Sequence, residues 1–487
     1  MKPEVAHGTW IESDVPPRLD ALQWSRWHRR VVLALGITWI LDGLEASLVA
    51  NLAPTLQDSR TLGLSATEVG IASTTYLVGQ VAGALLFGHL TDRLGRKRLF
   101  LVTLALYLVA TALSGFAPGF EVFLVFRFFA GAGIGGEYSA INSAIDELVP
   151  ARLRGQIDLG INGSYWVGVG LGAGLTLVLL DPALVPIELG WRLVFALGSV
   201  LGIAILLVRR DLPESPRWLL MHGHVSAANA TVEHIEAQVH GDRSDLRVEV
   251  TRVRIRVTGP VGLRHLLHVL VRRYPHRTIL GLSLMLAQAF LYNAIFFSYG
   301  LILETFHGVD REDVGRYIVP FAIGNFFGPL LLGPLFDRVG RRVMIPITYA
   351  LSAVLLLATG GLFVAGLLDA LTQTLAWSVV FFVASAAASS AYLTVSELFP
   401  VELRGMAIAV FYAFGTLVSS VAPTLFGAIV DTGEPSRVFL GYVLAAILML
   451  GAAVVARTLG VDAEGRSLEE ITREPFADEP SVPAARD

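Results

Sequence analysis

Apolar residues in this chain come in long unbroken runs instead of alternating with polar ones. Runs long enough to cross a hydrocarbon core, which takes about 20 residues, recur along the whole sequence. The first six are Val31 to Ala53, Val69 to Leu90, Leu99 to Gly115, Phe120 to Ile145, Ile157 to Leu180 and Leu189 to Val208. A second set follows at Ile279 to Leu303, Tyr317 to Phe336, Val343 to Leu367, Leu375 to Val395, Met406 to Val430 and Val438 to Ala456. Each run is about twice the length a barrel strand needs, and backbone groups in lipid must be satisfied within the segment, so the pattern predicts helices. Between Arg209 and Arg277 the pattern stops, and twelve arginines sit among seven acidic residues and seven histidines, which marks a polar insertion. The expectation is an all-α membrane protein of about twelve transmembrane helices in two six-helix halves. Residues 1–30 form a tail, 31–208 one half, 209–277 a loop with short helices, 278–457 the other half and 458–487 a second tail.

Composition agrees: 54% hydrophobic and 16% charged residues lie outside the range of a soluble surface. The net charge of -4 matters less than where the basic residues fall. Arg26, Arg29 and Arg30 precede the first span, and Arg93, Arg96, Lys97 and Arg98 follow the second. Arg152 and Arg154, then Arg209 and Arg210, then Arg338, Arg341 and Arg342, and finally Arg404 continue the alternation. This asymmetry predicts a multi-pass protein with both termini cytoplasmic, and lysine at only two positions beside many arginines points to a bacterial source, for which the membrane is the cell membrane. Cysteine is absent, which excludes disulfide and thiol chemistry. The first thirty residues, polar and broken by Pro16 and Pro17, lack the apolar core of a signal peptide and read as a cytoplasmic tail.

The two halves repeat each other. GHLTDRLGRKR from Gly88 returns as GPLFDRVGRRV from Gly333, 245 residues on, and DELVPARLRG from Asp146 returns as SELFPVELRG from Ser396, 250 residues on. Duplicated halves of this kind place a solute site at their interface, with rocking of one half against the other giving alternating access.

Among the ionisable residues inside the spans, four stand out: Asp42, Glu45, Arg127 and Glu137. Each costs about 2.5 to 3.5 kcal/mol at a helix centre on insertion scales and so needs a partner or a purpose. At 1.5 Å per residue Glu45 lies roughly 21 Å from the start of span one, and Arg127 roughly 10 Å from the opposite start of span four. In a core of about 30 Å the two depths coincide, so they are candidates for a pair whose acid competes with protonation. Asp42 shares the helix face of Glu45 and has no evident local partner. Purely structural charge pairs fixing helix packing are the other reading. The histidines outside the insertion lie in tails, loops or interfaces, which leaves carboxylates as the candidates for a proton relay.

The paired loops resemble the signature loop of the major facilitator superfamily. The resemblance implies a gate built from Gly88, Asp92, Arg93, Gly95 and Arg96 and, in the second copy, Asp337, Arg338 and Arg341. ELVPARLRG from Glu147, PESPRWL from Pro213, ELFPVELRG from Glu397 and GRSLEEI from Gly465 resemble sugar porter signatures. They imply that Glu147 with Arg154, and Glu397 with Arg404, join the loops in a salt-bridge network. Sugar proton symporters carry an acid in span one and an arginine in span four where this chain has Glu45 and Arg127. The stretch DGLE, with GGE ending at Glu137, looks more like the metabolite:proton symporters. By the same resemblance the solute contacts fall on Asn162, Gln288, Asn293 and Tyr392, while Ala287 and Leu291 replace the usual Gln and Gly.

The literal GxGxxG at Gly131 to Gly136 fails as a nucleotide motif, because no strand precedes it and it lies within a span. No metal, nucleophile or phosphate motif is present, so no enzyme, cofactor, metal or nucleic-acid partner is expected. The reading is a monomeric secondary transporter in a lipid bilayer that moves a small polar organic solute, a sugar, polyol or organic acid, with a proton. A uniporter or exporter of the same fold, or a non-transporting substrate sensor, are the alternatives.

Overall fold

The computed structural model describes residues 4–6, 8–64, 66–180, 184–209, 214–240, 251–257, 263–309, 314–399, 401–430 and 432–466, with some side chains within helices excepted. Each apolar run falls in a helix or in a helix pair. The first half holds α2 (Arg26–Gln57), α3 (Ala66–Leu94), α4 (Arg96–Ser114), α5 (Phe120–Leu148), the pair α6 (Arg154–Gly163) and α7 (Tyr165–Leu179), and α8 (Ile187–Arg209), after a short α1 (Val15–Ala21). The insertion carries α9 (Pro216–Met221), α10 (Val225–His240) and α11 (Leu263–Arg272). The second half holds α12 (Pro275–His307), α13 (Val314–Arg338), α14 (Arg341–Val364), α15 (Ala370–Leu398), the pair α16 (Val401–Ser419) and α17 (Ala422–Val430), and α18 (Pro435–Leu459). Among the described residues, α3, α4, α12, α13, α14, α15 and α18 are long and apolar enough to cross a membrane. Their outward faces carry exposed apolar side chains such as Val109, Leu331, Val354 and Val454, which a lipid solvent accommodates and water does not.

Glycine sets the closest helix crossings. A methyl group added at Gly79 or Gly83 of α3 would overlap the carbonyls of Phe128 or Ala132 on α5, and one at Gly131 or Gly135 would overlap those of Tyr76 or Gln80. The GxGxxG stretch is therefore a backbone-to-backbone helix contact. The second half repeats it 245 and 250 residues on, with Gly324 against Ser378 and Gly328 against Phe382. The duplication legible in the loops thus extends to the packing of α3 on α5 and of α13 on α15. Gly95 and Gly340, with φ of 92° and 103°, occupy equivalent positions where the chain turns into α4 and α14.

The tail, which reads as polar and broken by prolines, packs against the insertion. Strand β1 (Trp10–Ser13) pairs antiparallel with β2 (Val253–Arg256) of the insertion, and Val15, Leu19 and Leu22 are buried in one cluster with Leu220, Val232 and Ile235. Their spacing is one helical face, and Pro16 and Pro17 sit where a helix start tolerates proline, so the prolines that suggest a broken tail open α1.

Candidate functional site

The crossing of α3 on α5 brings Tyr76 beside Arg127, and Gly43 of α2, seated against the Tyr165 carbonyl of α7, sets the depth of Asp42 and Glu45. Arg127 Nη1 donates to Glu45 Oε1, and both side chains are sealed from the surface, at 1% and 0% exposure. The guanidinium lies 4.4 Å from the centroid of the Tyr76 ring, and the Tyr76 hydroxyl donates to Asp42 Oδ1 at 3.2 Å. Asp42 therefore has a partner that the sequence did not suggest, because Tyr76 comes from another helix. Glu45 Oε2 has no hydrogen-bond partner among the described residues. Glu137, equally buried, lies ten residues along α5 from Arg127, roughly 15 Å away, so it is not part of this pair. Tyr107 of α4, wholly buried, stands within electrostatic reach of Asp42, Glu45, Arg127 and Glu137.

In the second half, the equivalent of Arg127 is Trp377, buried against Tyr299 with ring centroids 4.9 Å apart. The six apolar runs of that half contain no Asp, Glu, Lys or Arg. The intramembrane charge chemistry is thus confined to one half, facing an aromatic counterpart in the other.

Where the halves meet, Trp39 of α2 packs edge-on against Tyr392 of α15 at 5.5 Å, and Tyr412 of α16 donates to Gln80 of α3 at 3.1 Å. Gln288 hydrogen-bonds Tyr392. Of the positions expected to contact solute, Gln288 and Tyr392 therefore reach this interface. Asn293 instead donates to Ser419 Oγ at 2.7 Å, and Asn162 donates to the Asp158 carbonyl of its own helix at 2.8 Å. Trp166 of α7 adds Tyr292, Phe296 and Phe321 to the same seam, with centroids 5.4 to 5.8 Å away. Trp39, Gln80, Trp166 and Tyr412 are absent from the sequence-based site. Each lies in an apolar run, and nothing in the local pattern sets it apart from core.

The signature-loop end is closed by charge. Arg341 Nη2 lies 3.0 Å from Glu397 and 3.3 Å from Asp337, and Arg154 Nη1 lies 3.9 Å from Glu397. Asp337 in turn accepts from the Gln156 amide at 2.7 Å, which joins α13 to α6 across the halves. Gly155 permits this approach, since a side chain there would collide with Asp337. Arg404 is buried and donates to the Phe399 carbonyl at 3.4 Å, Gly88 is buried in α3, and Arg338 is exposed. Glu214 accepts from the Lys97 amide at 3.3 Å beside Gly95, and Glu464 from the Arg341 amide at 3.4 Å beside Gly340, again 250 residues apart. The side chains of Asp92, Arg93, Arg96 and Glu147 lie outside the described residues.

A niacin transporter of Acinetobacter baylyi is 25% identical to this chain over 94% of it and 99% of the relative. A putative metabolite transport protein of Bacillus subtilis is 28% identical over 92% of this chain and 94% of its own. Among solved structures, a proton:xylose symporter, XylE, superposes with a TM-score of 0.74 at 19% identity, covering 91% of this chain and 98% of that one, which establishes the shared fold. The family model described as "Sugar (and other) transporter" matches residues 43–474. That match takes in both halves and the loop between them, and the chain belongs to this transporter family, with the fold of the major facilitator superfamily.

Proposed function

We propose that the protein is a proton-coupled symporter of a small polar ring-shaped solute, working by alternating access in the cell membrane with both termini cytoplasmic. The observation that carries this reading is the buried cluster of Asp42, Glu45 and Arg127 beside the interface of the halves. Two carboxylates and one guanidinium leave one net negative charge in a water-poor site, where an uncompensated charge is costly. One proton neutralises it. Glu45 Oε2 is the atom that receives the proton, because Oε1 holds Arg127 and Asp42 is held by Tyr76. Neutralising the cluster lowers the cost of moving α2 against α5 and α7, which is the step that coupling requires.

The solute site is the seam of Trp39, Gln288, Tyr392, Gln80 and Tyr412. Its two amides suit hydrogen-bonding groups on the solute rim, and its aromatic faces suit a flat ring. The relatives' own solutes, niacin and xylose, are small rings with polar substituents. The test is uptake of labelled monosaccharides, inositol and nicotinate into proteoliposomes, with and without an inward proton gradient. Uphill accumulation is expected with the gradient, and Glu45→Gln should abolish it while leaving downhill exchange intact. Flux indifferent to the gradient and to this substitution would make the protein a facilitator, and binding without flux would make it a sensor.

A further inference from the structure

We infer that the N-terminal segment is a strap over the cytoplasmic gate, and that Asp20, outside every recognised motif, is a working member of the lock. This rests on the alternating-access reading above. Asp20 stands at the end of α1 with both carboxylate oxygens committed: Oδ1 lies 3.4 Å from Arg154 and Oδ2 lies 2.9 Å from Arg217. Those two arginines are almost wholly buried, at 0% and 2% exposure, whereas Asp20 retains 15%. Arg154 is the same side chain that reaches Glu397 of the second half and donates to the Arg466 carbonyl at 3.5 Å. The acid of the tail therefore completes a continuous chain from α1 through Arg154, Glu397, Arg341 and Asp337 to the Gln156 amide, crossing between the halves twice.

The strap is fastened on both sides of Asp20. Arg18 forms a two-pronged pair with Glu236 of α10, at 2.8 and 2.5 Å. Upstream, β1 pairs with β2 over four residues, and Glu4 accepts from Ser226. Downstream, the Leu22 carbonyl accepts from Arg152 at 3.3 Å. Leu19 and Leu22 flank Asp20 with their side chains buried. The tail is thus bound along its length to the insertion and to the start of α6, and its charged contact falls on the arginine that holds the halves together. While the halves are together, Asp20 balances the charge of Arg154 and Arg217 and holds the Arg154 guanidinium within reach of Glu397. Removing the Asp20 carboxylate leaves Arg154 and Arg217 facing one another with one fewer anion and loosens the closed state.

The absence of cysteine makes this measurable by thiol labelling. Leu159 is fully buried, and its Cβ faces Gly333 across the halves, so Leu159→Cys reports opening of this end. Ala353→Cys, fully buried within the second half, reports loss of packing. Each is placed in the full-length protein in detergent and reacted with a fluorescent maleimide without solute or proton gradient. Asp20→Asn is expected to raise the labelling rate at position 159 by about fivefold or more, the scale of a typical coupling between sites. Asp20→Glu should stay near the parent rate, and position 353 should stay unreactive in both. A rate within about twofold of the parent for Asp20→Asn, or labelling at both positions, would overturn the assignment. Because the readout needs no transport, it stands or falls separately from proton coupling.

Discussion

Replacing Glu45 and Arg127 by methionine, singly and together, separates the structural cost of their pairing from its use. Removing one partner of a buried ion pair costs about 3 to 5 kcal/mol, because an uncompensated charge remains. Glu45→Met leaves a guanidinium that cannot shed its proton. It keeps its place over Tyr76 at 4.4 Å, as in the parent, and Asp42, held by the same Tyr76, remains to balance its charge. With Asp42 left as counter-charge, the loss expected falls below that range, at about 2 kcal/mol. Arg127→Met leaves the carboxyls of Glu45 and Asp42, which can take up protons and become neutral, so its cost also falls below that range. The double variant buries no charge from this pair and should fall within about 1 kcal/mol of the parent, as volume-matched replacements of buried pairs do. Its coupling energy is then about 2 kcal/mol. Unfolding free energies in mixed detergent with SDS would measure all four corners of the cycle. Additive losses in the double variant would refute the account of a pair held by mutual neutralisation.

Three further outcomes follow from the geometry. Gly131→Val and Gly324→Leu should each cut folded yield sharply, since overpacking costs about 1 to 3 kcal/mol even where neighbours yield and here the obstacle is backbone; Gly170→Leu, with open space at its Cβ, should be tolerated, as gel filtration of purified protein would register. Gln288→Ala should raise KM about tenfold, the loss of one good hydrogen bond, whereas Asn162→Ala should change it less than about threefold because that amide serves its own helix; initial uptake rates decide between them. His28, on the first turn of α2 between Trp24 and Trp27, is held at a pKa of about 4 by burial and by Arg152. Its folded value lies below the unfolded value of 6.5, so it contributes a loss of stability that sets in as pH falls below 6.5 and is complete near 4. Melting curves from pH 7 to 4 should therefore be flatter for His28→Phe than for the parent.

The chain announces its architecture because lipid makes the signal strong. Runs such as Val343 to Leu367 have one viable conformation in hydrocarbon, and the loops at Gly88 and Gly333 identify the duplication by their spacing. Even the depth of Glu45 and Arg127 follows from helix rise alone. What escapes is whatever depends on two helices at once. Tyr76 looks like any aromatic in an apolar run until α3 crosses α5 at Gly79 and Gly131 and turns its hydroxyl to Asp42. Asn162 and Asn293 carry the residue types and spacings of a solute site, yet spacing cannot tell an amide that faces a cleft from one satisfied by its own helix or by Ser419. The tail misleads for a different reason. A short apolar face of Val15, Leu19 and Leu22 is too weak to hold a helix in isolation, and it acquires meaning only against the cluster that α9 and α10 supply. Asp20, one charged residue among several in the tail, carries no sign of its role in the sequence. Its position is decided by a strand pairing between residues more than two hundred apart, and long-range pairing of this kind leaves no trace in local periodicity.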